Sequence, residues 1–225
     1  MSLFLIALAV LPCIAICIYV YYLDKYDREP KEVLVKSFLL GIVACMPAYF
    51  IEEIGEAINF AIPIDWLRTL LFAFVVVAFT EEGIKYLFLR HYCYKHEAFN
   101  EPLDGVVYSL MVSMGFAAFE NVVYSMNSDA TTLAIRMLTA IPAHASFAVI
   151  MGYHIGLAKD VPNSLSRRLT GLFAAIFAHG CYDFFLFQTY SDLLRLAAFG
   201  ILGICVLYAW RLLRFLLIDS ERRWA

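Results

Sequence analysis

The sequence predicts an all-α fold: a polytopic bundle of about seven membrane-spanning helices, forming one integral membrane domain over residues 1–225. Three observations predict it. Hydrophobic residues make up 63% of the chain and charged residues only 16%, with a mean hydropathy of +0.75, too apolar for a surface in contact with water. Apolar runs of about 20 residues, the length a bilayer crossing requires, recur from end to end. Basic residues also concentrate in every second connection between those runs.

Taken in order, the first run covers 2–22. No Lys or Arg precedes it, and it is too long for the apolar core of a secretory signal, so it reads as a retained span. The connection "DKYDREPKEVLVK" follows, with Lys25, Arg28, Lys31 and Lys36. The second span is 33–52. After it, "EEIGEAINFAIPID" is acidic and reads as a solvated connection in preference to a short interfacial helix. The third span, 66–89, leads to a loop with Arg90 and Lys95, and the fourth is 103–125. The fifth, 131–157, is long enough to tilt or project beyond the lipid, and Lys159, Arg167 and Arg168 follow it. The sixth and seventh, 168–188 and 192–217, end in a tail carrying Arg211, Arg214, Arg222 and Arg223. The alternate connections hold only Arg68, Arg136 and Arg195, so the positive-inside rule places the N-terminus outside and the C-terminus in the cytoplasm.

Several function classes are excluded. The chain has no basic patch for nucleic acid and no low-complexity linker. Its six cysteines are scattered without a CxxC pair and lie mostly in apolar runs, where free Cys packs as a small hydrophobe.

The informative residues are those out of place. An ionisable group at the bilayer centre costs about 2.5–3.5 kcal/mol on insertion scales, so such groups face the bundle interior and mark function. Seven fall well inside spans: Glu81, Glu82 and Lys85 in the third, Glu120 in the fourth, His144 in the fifth, His179 and Asp183 in the sixth. Their depths overlap, from mid-bilayer into the outer half, which points to one site built from helices within 66–188. Glu81 with Lys85, and His179 with Asp183, are four apart and share helix faces. An ion-pair network that only fixes helix packing would need far fewer groups. His91 and His96 read as loop residues and His154 as a span end. Gly105, Gly115, Ala117 and Ala118 read as ordinary helix packing.

Peptide hydrolysis in a membrane requires water, a base and a group to stabilise the oxyanion. Ser146 and Cys181 stand two residues from histidines, on different helix faces, so no nucleophile–base pair is formed. Two mechanisms remain. In one, Glu81 or Glu82 is the general base, His144 helps hold the water, Lys85 tunes the pair, and His179 with Asp183 orients the substrate carbonyl. In the other, zinc is held by His144, His179 and a carboxylate (Glu120, Asp183 or Glu82), with a remaining glutamate as base. The competing classes are a proton-coupled transporter, against which no repeat of similar halves is found, and a non-catalytic membrane scaffold.

The motifs "EEGIK" (Glu81–Lys85), "FAAFEN" (Phe116–Asn121), the lone His144 and "HGCYD" (His179–Asp183) resemble, in that order, the signatures of the PrsW family of intramembrane proteases. "DGVVY" at Asp104–Tyr108 also looks like that family, and the likeness runs from about residue 20 to 190. The family is similar to the group containing the CAAX prenyl endopeptidases and bacteriocin-type membrane proteases, where histidine stands in place of Glu120. The resemblance implies catalytic roles for Glu81, Glu82, Lys85, Glu120, His144, His179 and Asp183. It also implies a multi-pass protein of the bacterial cytoplasmic membrane. Its substrate would be a membrane-spanning anti-sigma factor, cut first on its outer side, in a stress response.

Overall fold

A computed structural model of the chain describes residues 3–59, 61–127, 129–161 and 164–224. Ser2, where the first expected span begins, lies outside them. The described residues are all-helical: α1 (Leu3–Leu23), α2 (Lys31–Asn59), α3 (Asp65–Leu71), α4 (Phe79–His91), α5 (Pro102–Asn127), α6 (Ala130–Leu138), α7 (Ala140–Leu157), α8 (Leu165–Phe187) and α9 (Asp192–Trp224). Among the described residues, six stretches are long and apolar enough to cross a membrane: 4–23, 31–58, 102–126, 130–157, 165–187 and 192–224.

The third expected span differs. Its residues are helical throughout, but α3 and α4 are joined by a wider π-helical stretch, Phe72–Ala78, in place of one unbroken α-helix. β-Branched Val75, Val76 and Val77 weaken α-propensity there, and π segments collect at functional sites. The acidic stretch after the second span is a correction. Glu52, Glu53 and Glu56 lie in the last turns of α2, which runs on to Asn59; Glu, Ala and Ile sustain a helix where charge alone suggests a loop.

α5 is the central helix. It packs on α1, α2 and α7 and is buried over most of its length. Glycines set its closest approaches. A Cβ on Gly115 would overlap the Phe38 carbonyl of α2, and one on Gly105 would overlap the Gly152 carbonyl of α7. Close backbone approach of this kind holds membrane helices together in the absence of a hydrophobic drive.

The basic connections gather at one end of the bundle. Asn100 donates to Asp27 at 2.9 Å, Lys159 to the Tyr94 carbonyl at 3.0 Å, Arg223 to Asp160 at 2.7 Å and Ser220 to Glu101 at 2.8 Å. The ends of α1, α4, α7 and α9 therefore share one face, with the acidic end of α2 at the other.

Candidate active site

α4 starts directly after the π-helical stretch, and its first two turns bring Glu81, Glu82 and Lys85 into the interior, each no more than 3% exposed. Spacings of three and four residues stack all three on one face. The Lys85 ammonium lies 2.9 Å from Glu81 Oε2, 2.9 Å from Glu82 Oε1 and 3.2 Å from His144 Nδ1. It also sits 4.0 Å from the centre of the Phe116 ring on α5, whose π face favours a cation.

An ammonium has only protons to give, so His144 Nδ1 must accept. The imidazole proton then resides on Nε2, which donates to Glu120 Oε2 at 2.9 Å. Glu120 on α5 thus fixes the tautomer of His144 on α7 and turns the Nδ1 lone pair toward α4. On α8, His179 Nδ1 lies 3.0 Å from Glu82 Oε1 and Nε2 lies 3.1 Å from Asp183 Oδ2. Its ring stacks on Phe147 with centres 4.8 Å apart. The next residue, Gly180, leaves room for the Phe74 ring of the π-helical stretch, which seats α4 against α8.

All seven residues singled out in the sequence join one continuous network. It runs Asp183–His179–Glu82–Lys85–His144–Glu120, with Glu81 on Lys85. Each buried carboxylate faces an N–H group, the condition under which buried charge is tolerated. The two adjacent glutamates are unlike. Glu82 Oε1 is shared by Lys85 and His179, whereas Glu81 accepts a hydrogen bond from Lys85 alone among the described residues.

Two further residues escape the sequence reading. Arg136, expected in an outer connection, lies in α6 with its guanidinium 2.8 Å from Glu120 Oε1, donating to Asn121 Oδ1 at 2.6 Å and lying 3.7 Å from the centre of the Tyr124 ring. It secures Glu120 from the side opposite His144. Glu52 of α2, also expected in a connection, feels the charges of Glu81, Glu120, His179 and Lys85, and its buried Oε1 has no hydrogen-bond partner among the described residues. The signal for Arg136 was its place in "TTLAIRML", an amphipathic turn beginning eleven residues after Glu120.

Glu81, Glu82 and His144 bring three donor atoms within 4.8 Å of one another. One imidazole nitrogen and two carboxylates are donors that zinc accepts, and a histidine backed by a carboxylate on its other nitrogen is the usual support for a metal ligand. The residues fit a zinc ion by type, and the Lys85 ammonium stands among the same three donors. The set differs from the expected His144, His179 and Glu120. Both nitrogens of His179 face carboxylates, and Glu120 sits behind His144, so of those three only His144 belongs to the convergent group.

Comparison with known proteins identifies the family of the chain. The model of a family described as "PrsW family intramembrane metalloprotease" matches residues 29–211. Protease PrsW of Geobacillus kaustophilus is 34% identical over 186 residues, covering 81% of this chain and 79% of that protein. Protease PrsW of Bacillus subtilis is 34% identical over 184 residues, covering 81% and 82%. Protease PrsW of Oceanobacillus iheyensis is 32% identical over 213 residues, covering 93% and 95%. No solved structure matches.

Proposed function

The chain belongs to the PrsW family of intramembrane metalloproteases, and from that premise we propose how this protease works and on what it acts. It hydrolyses peptide bonds of membrane-anchored proteins at the Glu81–Glu82–Lys85–His144 centre. The observation carrying this reading is the unequal engagement of the paired glutamates. Glu82, held by Lys85 and His179 together, is the anchored carboxylate; Glu81, held by Lys85 alone, is the general base.

Glu81 takes a proton from water as the water oxygen attacks the scissile carbonyl carbon, and later returns that proton to the leaving amine. The Lys85 ammonium, buried and fixed by two carboxylates, is the positive charge nearest the developing oxyanion. His144, fixed by Glu120, offers its Nδ1 lone pair to the water. His179 and Asp183 hold Glu82 in place. A zinc ion at this centre would be held by Glu82 and His144, with Glu81 left beside it as the base, and would supply Lewis acidity and a water of lowered pKa. The substrate class we assign is a single-span membrane protein of the anti-sigma-factor type, cut on the outer side of the bacterial cytoplasmic membrane.

The test is cleavage of a panel of single-span substrates in proteoliposomes by wild type, Glu81→Gln and Glu82→Gln. Loss of a general base lowers kcat by roughly 10²–10⁴-fold, and that loss is expected for Glu81→Gln with the protein still folded. A wild-type product that persists undiminished in Glu81→Gln removes Glu81 as base. A folded wild type that cuts nothing across the panel removes the substrate assignment.

A further inference from the structure

α1 and α2 follow each other in the chain and each packs along α5, but among the described residues the two scarcely touch one another. The seam between them is a groove of about 360 Å³. Ile18 and Tyr21 line it from α1, and Lys31, Val35 and Phe38 from α2; Met111 of α5, only 4% exposed, closes its bottom. Ile18 and Val35 are 52% and 58% exposed, so the groove opens to the outside of the bundle, where the bilayer lies. From Lys31 to Phe38 it follows two turns of α2, about 10 Å at 1.5 Å per residue.

One end of this groove is charged and the rest is apolar. Lys31 opens α2 at the end of the bundle where the basic connections gather. Its ammonium lies 5.6 Å from the centre of the Tyr21 ring, and the Arg28 guanidinium lies 5.4 Å from the same centre. Arg28 Nε donates to the Asp24 backbone carbonyl at 3.2 Å, which fixes the arm. Neither cation forms an ion pair with a carboxylate among the described residues. The acidic residues around them are engaged elsewhere. Asp24 accepts from the Glu29 backbone N–H at 3.3 Å, Glu29 accepts from Tyr108, Asp27 accepts from Asn100 at 2.9 Å, and Glu32 pairs with Lys36 at 2.6 Å. Two cations without carboxylate partners thus stand at the head of an apolar groove, and an anionic head on an apolar tail is the complement of that arrangement.

We propose that the α1–α2 groove binds one anionic phospholipid of the phosphatidylglycerol class, with its phosphate on Lys31 and Arg28 and an acyl chain laid along Ile18, Val35 and Phe38. Basic pockets between spanning helices at the cytoplasmic side bind such head groups, and the positive-inside rule assigns this end of the bundle to that side. A groove of about 10 Å lies within one leaflet of a hydrocarbon core about 30 Å thick. An acyl chain fits that length, whereas a substrate helix would cross the whole core and is itself about 10–12 Å wide. A zwitterionic lipid would bring a further cation against Lys31 and Arg28. The lipid fills the seam and supplies the packing that α1 and α2 lack in each other.

The test is native mass spectrometry of the full chain, released from detergent holding equal amounts of phosphatidylglycerol and phosphatidylcholine with the same acyl chains. The expected result is one phosphatidylglycerol retained per chain, with a preference of about tenfold or more over phosphatidylcholine. Lys31→Gln and Arg28→Gln should each lower that preference by about fivefold. Lys25→Gln, whose ammonium lies over Tyr26 away from the groove, should leave it unchanged. Val35→Trp fills the groove from an exposed position without altering charge and should reduce retention; Ile18→Trp gives the same readout from α1 if Val35→Trp fails to fold. Glycerol phosphate, a head without chains, should not displace the lipid. Equal retention of the two lipids, or a loss in Lys25→Gln as large as in Lys31→Gln, overturns the proposal in favour of diffuse surface charge. Displacement by glycerol phosphate overturns the acyl-chain assignment. Retention undiminished in the groove-filling variants overturns the groove as the lipid's seat, and slowed cleavage of a single-span peptide by those variants then assigns the groove to a substrate helix.

Discussion

Glu120→Gln should lower kcat/KM by about 10–100-fold, or about 1.4–2.7 kcal/mol, with most of the loss in kcat. The magnitude follows from the two contacts of this carboxylate: Oε1 lies 2.8 Å from the Arg136 guanidinium and Oε2 lies 2.9 Å from His144 Nε2. Both partners donate, and a carboxylate accepts from both. A glutamine has one acceptor and one NH2 group, so one contact must become donor against donor. If the amide oxygen stays on His144, the NH2 group faces Arg136. If it turns to Arg136, His144 is driven to the other tautomer, and a proton on Nδ1 then meets the Lys85 ammonium 3.2 Å away. The assay is cleavage of a quenched fluorescent single-span peptide in proteoliposomes. Glu120→Gln/Arg136→Gln serves as second variant, because it removes the donor clash together with the charge and should recover part of the loss, with a coupling of about 0.5–3 kcal/mol. Glu120→Gln activity within twofold of wild type, in a folded protein, would refute the reasoning that Glu120 sets the His144 tautomer.

Three other expectations rest on separate contacts. Arg136→Ala leaves Glu120 short of its cation and should cost about tenfold in kcat, with Arg136→Lys recovering only part because it loses the bond to Asn121; steady-state kinetics of both variants decide it. Gly115→Val forces α5 away from the Phe38 carbonyl and should cost about 1–3 kcal/mol in thermal unfolding, whereas Gly203→Ala, with open space around its Cβ, should be close to neutral. Removal of metal with a strong chelator should abolish turnover and zinc should restore it; turnover that survives chelation, in a protein from which no metal co-purifies, would dispose of zinc in the reaction.

The seven site residues were legible because each interrupts an apolar run, where an ionisable group is too costly to be idle. Arg136 and Glu52 were not, although both reach the same centre. They lie near the ends of apolar runs, where the cost of charge is small and a basic or acidic residue looks like an ordinary connection. Only the turn of α6 back over α5, and the extra length of α2, bring them inward. The π-helical stretch was hidden for a different reason. A run of aromatic and β-branched residues reads as a span whatever its helical pitch, so the sequence announces the crossing without the register change that seats Glu81 and Glu82 against α8. The metal donors illustrate the same limit, since residue types nominated His144, His179 and Glu120. Which donor atoms converge is a property of three-dimensional pairing, and among the described residues Glu81 and Glu82 stand beside His144 where residue types alone suggest His179 and Glu120.

Charge balance links these findings. In and around the centre, the carboxylates of Glu52, Glu81, Glu82, Glu120 and Asp183 face two permanently cationic side chains, Lys85 and Arg136. Burial does not tolerate such an excess of negative charge, so protonated imidazole, protonated carboxyl or a bound cation must make up the difference. His179, with a carboxylate against each nitrogen, is placed to carry one proton. His144 instead turns its Nδ1 to the Lys85 ammonium. Donors that could take a divalent ion converge at Glu81, Glu82 and that Nδ1. A divalent ion held there would supply the positive charge the centre lacks, while Lys85 stays between the two carboxylates as the fixed cation of the site, nearest a developing oxyanion.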